Sequence, residues 1–255
     1  MMRALLIRGM LVGVLAGLLS FGVARLLGEP EIARAIAFEE QQTAAAHAGA
    51  GATVHDHGSD HDHAAGTPVT VSRATQSGIG LLTATLVYGA AFGGLFALVF
   101  GLVYGRVGPW DARTTALLLA AAAFITISFV PSLKYPASPP AVGLAETIGA
   151  RTQLFFAMIA IAVAAMIIAV LTARRLLAVH GAWNATLVGG GAFLAMVIIA
   201  ALLMPSLDEV PQGFPADVLW SFRQAALAIQ GTMWATLGLV FGRLAEEALS
   251  NRHQL

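Results

Sequence analysis

Cysteine is absent from all 255 residues, which excludes disulfides, thiolate metal ligands and thiol redox chemistry. Charge is scarce too. Only 11% of residues are Asp, Glu, Lys or Arg, against about a quarter in soluble proteins. Lysine occurs once, as Lys134. No GxxxxGK[ST] loop exists, and no segment between apolar runs is long enough for a nucleotide-binding domain, so this chain is expected to bind no nucleotide. HExxH and GxSxG are missing as well. Without a nucleophile and base constellation, the chain reads as something other than an enzyme. The 14 basic and 14 acidic residues cancel and leave no global field to recruit nucleic acid. Any metal site must be built from nitrogen, oxygen or thioether sulfur.

What is abundant is apolar surface: 58% of residues are hydrophobic. Runs long enough to cross ~30 Å of hydrocarbon as helix fall at about 4–27, 77–105, 114–130, 152–173, 184–204 and 218–241. The expected fold is therefore an all-α integral membrane protein with six transmembrane helices in one membrane domain, its main surroundings being the lipid bilayer. Arg3 and Arg8 followed by an apolar stretch also suit a signal peptide; the apolar run continues beyond a typical h-region, which favours a retained helix. Arg3, Arg8, Arg106, Arg113, Arg174, Arg175, Arg243 and Arg252 lie on one side of these spans, against Arg25, Arg34, Arg73, Lys134 and Arg151 on the other. The positive-inside bias puts both termini in the cytoplasm.

Two loops on the opposite side begin alike, Pro131-Ser132-Leu133 and Pro205-Ser206-Leu207. Each leads to a helix opening on an Arg and Gln, Arg151 with Gln153 and Arg223 with Gln224, and Arg73 with Gln76 occupies the equivalent place in the first hairpin. Gly101-Leu102-Val103-Tyr104-Gly105-Arg106 matches Gly238-Leu239-Val240-Phe241-Gly242-Arg243. These matches suggest three helical hairpins in parallel repetition. Arg73, Arg151 and Arg223 would then share one rim, where they are expected to pair with carboxylates such as Glu146 or Asp217, or to anchor to headgroups. Small residues at Gly9, Gly13 and Gly17, at Gly89 and Gly93, and at Gly238 and Gly242 predict close helix packing.

Five of the seven histidines lie between the first two apolar runs. His47 is followed by His55, Asp56, His57, Asp60, His61, Asp62 and His63, with Gly58 and Ser59 supplying a turn. In extended chain, each His-Asp-His triplet presents two imidazoles on one side and a carboxylate on the other. Folding at the turn brings four imidazoles toward one ion, with Asp56, Asp60 and Asp62 as oxygen ligands or ring-orienting partners. The Gly- and Ala-rich stretch 44–66 is expected to be a flexible insert in a periplasmic loop, ordering on metal. Imidazole with carboxylate suits Co2+, Ni2+, Zn2+ and Cu2+ and selects poorly among them.

Within the apolar runs there is no Asp, Glu, His or Lys. A charged intramembrane cation site is therefore not visible. The polar groups available to line a path are Gln153, Gln224, Gln230, Thr126, Ser128, Thr232 and Thr236, with the thioethers of Met158, Met166, Met196, Met204 and Met233.

Gly28-Glu29-Pro30, the stretch 35–40, the His-rich insert, the Lys134-Tyr135-Pro136 loop through Gly143, and the stretch from Asp208 to Arg223 together resemble the CbtA family, over nearly the whole chain. Asp208 stands where the family pattern leads us to expect Asn. The resemblance implies a cobalt uptake subunit of the bacterial inner membrane, connected with cobalamin synthesis. It also implies a small single-helix partner of the CbtB type. Co2+ is then the expected cargo, Ni2+ or Zn2+ the alternatives, and a membrane metal-binding scaffold or sensor the reading from another class. No tightly bound cofactor is implied.

Overall fold

The computed structural model describes residues 2–49 and 72–250; the histidines from His55 to His63 and their aspartates lie outside them. Among the described residues there are helices and loops and no strand. Five helical runs are long and apolar enough to cross a membrane. We number them α1 (Met2–Val23 continuing through a π-helical turn, Ala24–Gly28, into Glu29–Gly49), α2 (Arg73–Val103), α3 (Ala112–Lys134), α4 (Ile148–Leu203) and α5 (Ala216–Ser250).

The sequence reading of six spans meets five runs because two of them join. α4 has 56 residues, which as a straight helix would extend about 84 Å, far beyond a bilayer. It is not straight: Gly181 sits at φ 73°, ψ 167°, a left-handed conformation that glycine adopts without steric cost. Beyond it the chain turns back. A Cβ on Gly189 would lie 2.8 Å from the Ala169 carbonyl oxygen and 2.9 Å from the Ala173 Cβ, so the legs on either side of Gly181 run antiparallel in contact. Phe193 on one leg and Met158, Ala162, Ala165 and Ala169 on the other share a buried cluster with Val130 and Tyr135, which docks this hairpin on the end of α3.

α1 also runs past its expected end at residue 27. The stretch after Pro30 is less apolar but rich in Ala and Glu, which are good helix formers, and Arg34 pairs with Glu31 one turn away at 3.3 Å. Pro30 lacks an N–H and crowds the carbonyl four residues earlier. The wide π turn Ala24–Gly28 lies just ahead of it. In α3 the same pairing recurs, with the π segment Phe124–Phe129 immediately before Val130 and Pro131. Both prolines thus stay inside continuous helices because the preceding turn widens to make room.

The glycine stripes form a seam. A Cβ on Gly13 would fall 2.8 Å from the carbonyl carbon of Gly89 and 3.0 Å from the Gly93 Cα, and one on Gly17 would fall 2.9 Å from the Thr85 carbonyl carbon. The backbones of α1 and α2 therefore touch along an antiparallel crossing, held by van der Waals contact. Gly238 and Gly242 of α5 lie against Ala120 and Ala116 of α3 in the same way, at 2.8 Å and 3.1 Å from their Cβ atoms. The two matching sextets differ in backbone, however. α2 ends at Val103, with Gly105 at φ +72°, whereas Leu237–Phe241 is a π turn inside a helix that continues.

Below mid-depth, toward the end opposite the proline-rich loops, aromatic rings fill the centre. Phe96 and Phe100 of α2 meet Phe241 of α5 edge-on, with centroids 5.4 Å and 5.2 Å apart. Leu5, Ala116, Ala120, Trp234 and Leu237 complete this core.

Candidate functional site

Besides the ion pairs of Arg113 with Glu246 and Arg243 with Glu247 at the far end of the bundle, the described residues build two features that carry polar groups: a cap joining the proline-rich loops, and a groove at mid-depth.

The cap is built from both loops and α1. Lys134 donates to Ser206 Oγ at 2.8 Å, and the buried Tyr135 hydroxyl donates to the Pro205 carbonyl at 2.7 Å. Arg151, at the start of α4, pairs with Glu209 at 3.1 Å. Its guanidinium packs over Gly143, where φ is +110° and a Cβ would lie 2.9 Å from Cζ. Val142 and Phe214, one from each loop, are buried against Ala35 and Phe38 of α1, with the Phe38 and Phe214 rings 5.1 Å apart and nearly perpendicular. The loops thus clamp the outer stretch of α1, which runs on to Gly49. His47 lies in its last turn. Burial in the cap raises the Tyr135 phenol above its usual range.

Two of the three rim arginines are paired. Arg73 meets Glu29 at 2.6 Å and Arg151 meets Glu209. The expected partners Glu146 and Asp217 are exposed and make no ion pair among the described residues. The folding back of α4 brings Glu209 to Arg151 instead. Arg223 is different. Its Nε is buried without a hydrogen-bond partner, and no described carboxylate pairs with it.

The groove lies between α1, α2 and α5. It has a volume of about 320 Å³ and is lined by Gly17, Ser20, Thr85, Tyr88, Gln230 and Met233, among others. It is open on one side, since Ala84, Tyr88 and Gln230 on its rim are exposed. Ser20 donates to the Ile229 carbonyl at 3.3 Å and Thr85 to the Leu82 carbonyl at 3.0 Å. At its base a short relay links one turn of α5 through α3: Trp234 Nε1 donates to Ser128 Oγ at 3.1 Å, and Ser128 donates to Gln230 Oε1 at 3.3 Å. Trp234 meets Phe92 edge-on at 5.8 Å, which closes the groove toward the aromatic core. The groove is therefore mainly apolar with a few hydroxyl and amide groups, and every lining group is neutral.

Of the path candidates read from sequence, Gln230 and Met233 line this groove, and Ser128 supports it. Thr126, Thr232 and Thr236 instead donate back to carbonyls of their own helices at 2.8, 2.8 and 2.7 Å. Met158, Met166, Met196 and Met204 pack in the α3–α4 cluster, and Gln153 and Gln224 are exposed away from it. Ser20, Thr85 and Tyr88 were missed. Thr85 continues the Gly89 and Gly93 stripe by one turn, so extending that stripe would have found it. No set of three or more His, Asp or Glu side chains is gathered for a metal among the described residues.

A family model described as probable cobalt transporter subunit (CbtA) matches residues 2–246. No curated protein and no solved structure matches the chain.

Proposed function

We propose, from the premise that the chain belongs to the CbtA family of probable cobalt transporter subunits, that it is the multi-pass subunit of a Co2+ uptake system in the bacterial inner membrane. The α4 hairpin crosses twice, giving six passages, and both termini face the cytoplasm. The observation that carries this reading is the course of α1. It rises from the bundle, is clamped by the two proline-rich loops through Phe38, and leads within the same helix to His47, where the histidine segment begins. His47, His55, His57, His61 and His63, with Asp56, Asp60 and Asp62, capture the scarce cation outside and release it next to the cap.

The neutral groove then sets a physical limit. Stripping a divalent ion of water in a medium of low dielectric costs tens of kcal/mol by Born solvation, and Ser20, Thr85, Tyr88 and Gln230 offer no negative charge to offset it. Passage requires retained water or ligands from the second subunit, for which the CbtB-type single-helix protein is the candidate.

The test is accumulation of radiolabelled Co2+ at limiting concentration, in cells expressing both subunits. Deleting residues 47–63, or replacing the five histidines with alanine, is expected to abolish high-affinity accumulation while leaving the protein in the membrane. Capture should weaken as pH falls through ~6.5, the intrinsic imidazole value. Accumulation unchanged by the deletion overturns the capture role. Preference for Ni2+ or Zn2+ reassigns the cargo, and no flux for any of the three points to a scaffold or sensor.

A further inference from the structure

We infer that the groove between α1, α2 and α5 is the seat of a transmembrane helix of the partner subunit, one that presents a carboxylate to Arg223 and a hydrogen-bond acceptor to Gln230. This rests on the transporter-subunit reading and names where its partner docks.

Three observations converge. Arg223 and Gln230 are seven residues apart in regular α-helix, so they lie on one face of α5, about 10.5 Å apart along the axis. Arg223 thus stands above the groove toward the loop end, its Nε buried without a partner. Gln230 accepts from Ser128 through Oε1, but its amide nitrogen donates to nothing among the described residues. Tyr88, across the groove on α2, is 66% exposed, and its hydroxyl likewise has no partner.

The unsatisfied nitrogens of Arg223 and Gln230 can only donate, and the Tyr88 hydroxyl can donate as well. Hydrocarbon offers them nothing, and a bare donor facing lipid is strongly disfavoured. A bare cation is repelled by Arg223 and finds few free lone pairs. What fits is a line of acceptors, acidic near the loop end and neutral two turns deeper, on a helix that can come close. Ala84, small and exposed on the lining, leaves room for that approach. The charges of Arg73 and Arg151 are already met within this chain by Glu29 and Glu209; Arg223 is the rim arginine left for another. Once its charge is met by the partner's carboxylate, the rim no longer repels the cargo.

Since the chain has no cysteine, Tyr88→Cys introduces a single thiol. Co-expressed with a CbtB-type partner carrying cysteines scanned along its helix, it is expected to cross-link through a short bismaleimide at positions recurring every three to four residues, whereas Leu202→Cys, on the exposed face of α4, does not. Arg223→Glu should lower co-purified partner by about tenfold or more, as loss of a buried charge pair does. A basic residue at one acidic position near the partner's loop-side end should restore it, and Arg223→Gln should fall between.

Several results overturn the inference. Tyr88→Cys that reacts equally with a water-soluble maleimide with and without the partner marks a water-filled groove. Cross-linking at α4 instead places the partner elsewhere, and Tyr88→Cys self-linking marks a second copy. Loss of bound anionic lipid from Arg223→Glu, with partner unchanged, assigns the arginine to a headgroup. Co2+ uptake by the wild-type pair is measured alongside. Uptake with cross-links elsewhere sinks only this inference; cross-links at the groove without uptake sink only the transport reading.

Discussion

Replacing Gly13 by alanine probes the seam on which the bundle is built. The new Cβ would stand 2.8 Å from the Gly89 carbonyl carbon, 0.6 Å short of ordinary contact at 3.4 Å, with the Gly89 oxygen closer still. The clashing atoms are backbone, so no side chain can swing aside; the helices must part. A radial gap of 0.5–1 Å forfeits roughly a quarter to a half of each dispersion contact, and overpacking of this kind costs about 1–3 kcal/mol. Gly13→Ala should therefore lower the melting temperature of the detergent-solubilised protein by several degrees. Gly22→Ala is the matched control on the same helix, because nothing lies within 4 Å of its added Cβ. It should be neutral or slightly stabilising, since alanine is the better helix former. Equal melting of the two variants, followed as loss of the monodisperse peak in size-exclusion chromatography, would refute the close-contact seam.

Three further perturbations follow from the cap and the helix starts. Arg151→Gln leaves Glu209, whose side chain is 9% exposed, without its cation; a loss of about 1–3 kcal/mol is expected, partly recovered in the double variant with Glu209→Gln, as a double-mutant cycle will show. Tyr135→Phe removes the bond to Pro205 at roughly 1 kcal/mol. Because burial raises the folded phenol above its unfolded value, the contribution of Tyr135 is full below pH ~10 and lost as pH rises through the folded value, so the variant and the wild type should converge in an alkaline melting series. Asp111 caps α3 by accepting from the Thr114 N–H at 2.7 Å, and that bond, with a second to the Thr114 side chain, holds its carboxyl below 3.8. The cap is present at neutral pH and is lost as pH falls through that lowered value, so amide exchange at Thr114 should quicken there and already be fast in Asp111→Ala.

The sequence made the seam legible because helical spacing encodes it. Gly9, Gly13 and Gly17 recur every four residues, and a stripe so spaced can only face one neighbour. It did not make helix ends legible where polarity changes but helix propensity does not, as after Pro30 in α1. The joining of two apolar runs into α4 turned on the conformation of one glycine, Gly181, among 27 in the chain. Ion-pair partners were beyond reach for a different reason. Arg151 and Glu209 are brought together by the α4 turn, a through-space relation that local pattern does not record. The relay from Trp234 to Gln230 was half visible: Ser128 and Gln230 stood out as polar groups in apolar runs, whereas the indole N–H was hidden by counting Trp234 as a hydrophobe.

The touching backbones of α1 and α2 carry a mechanical consequence. Two rods pressed together without intervening side chains cannot slide or roll past each other without breaking contact along their length, so they swing as one lever arm. Any rocking that opens the bundle first to one compartment and then to the other must pivot elsewhere. The bend at Gly181 and the docking of its hairpin on α3 are where such a pivot would be sought.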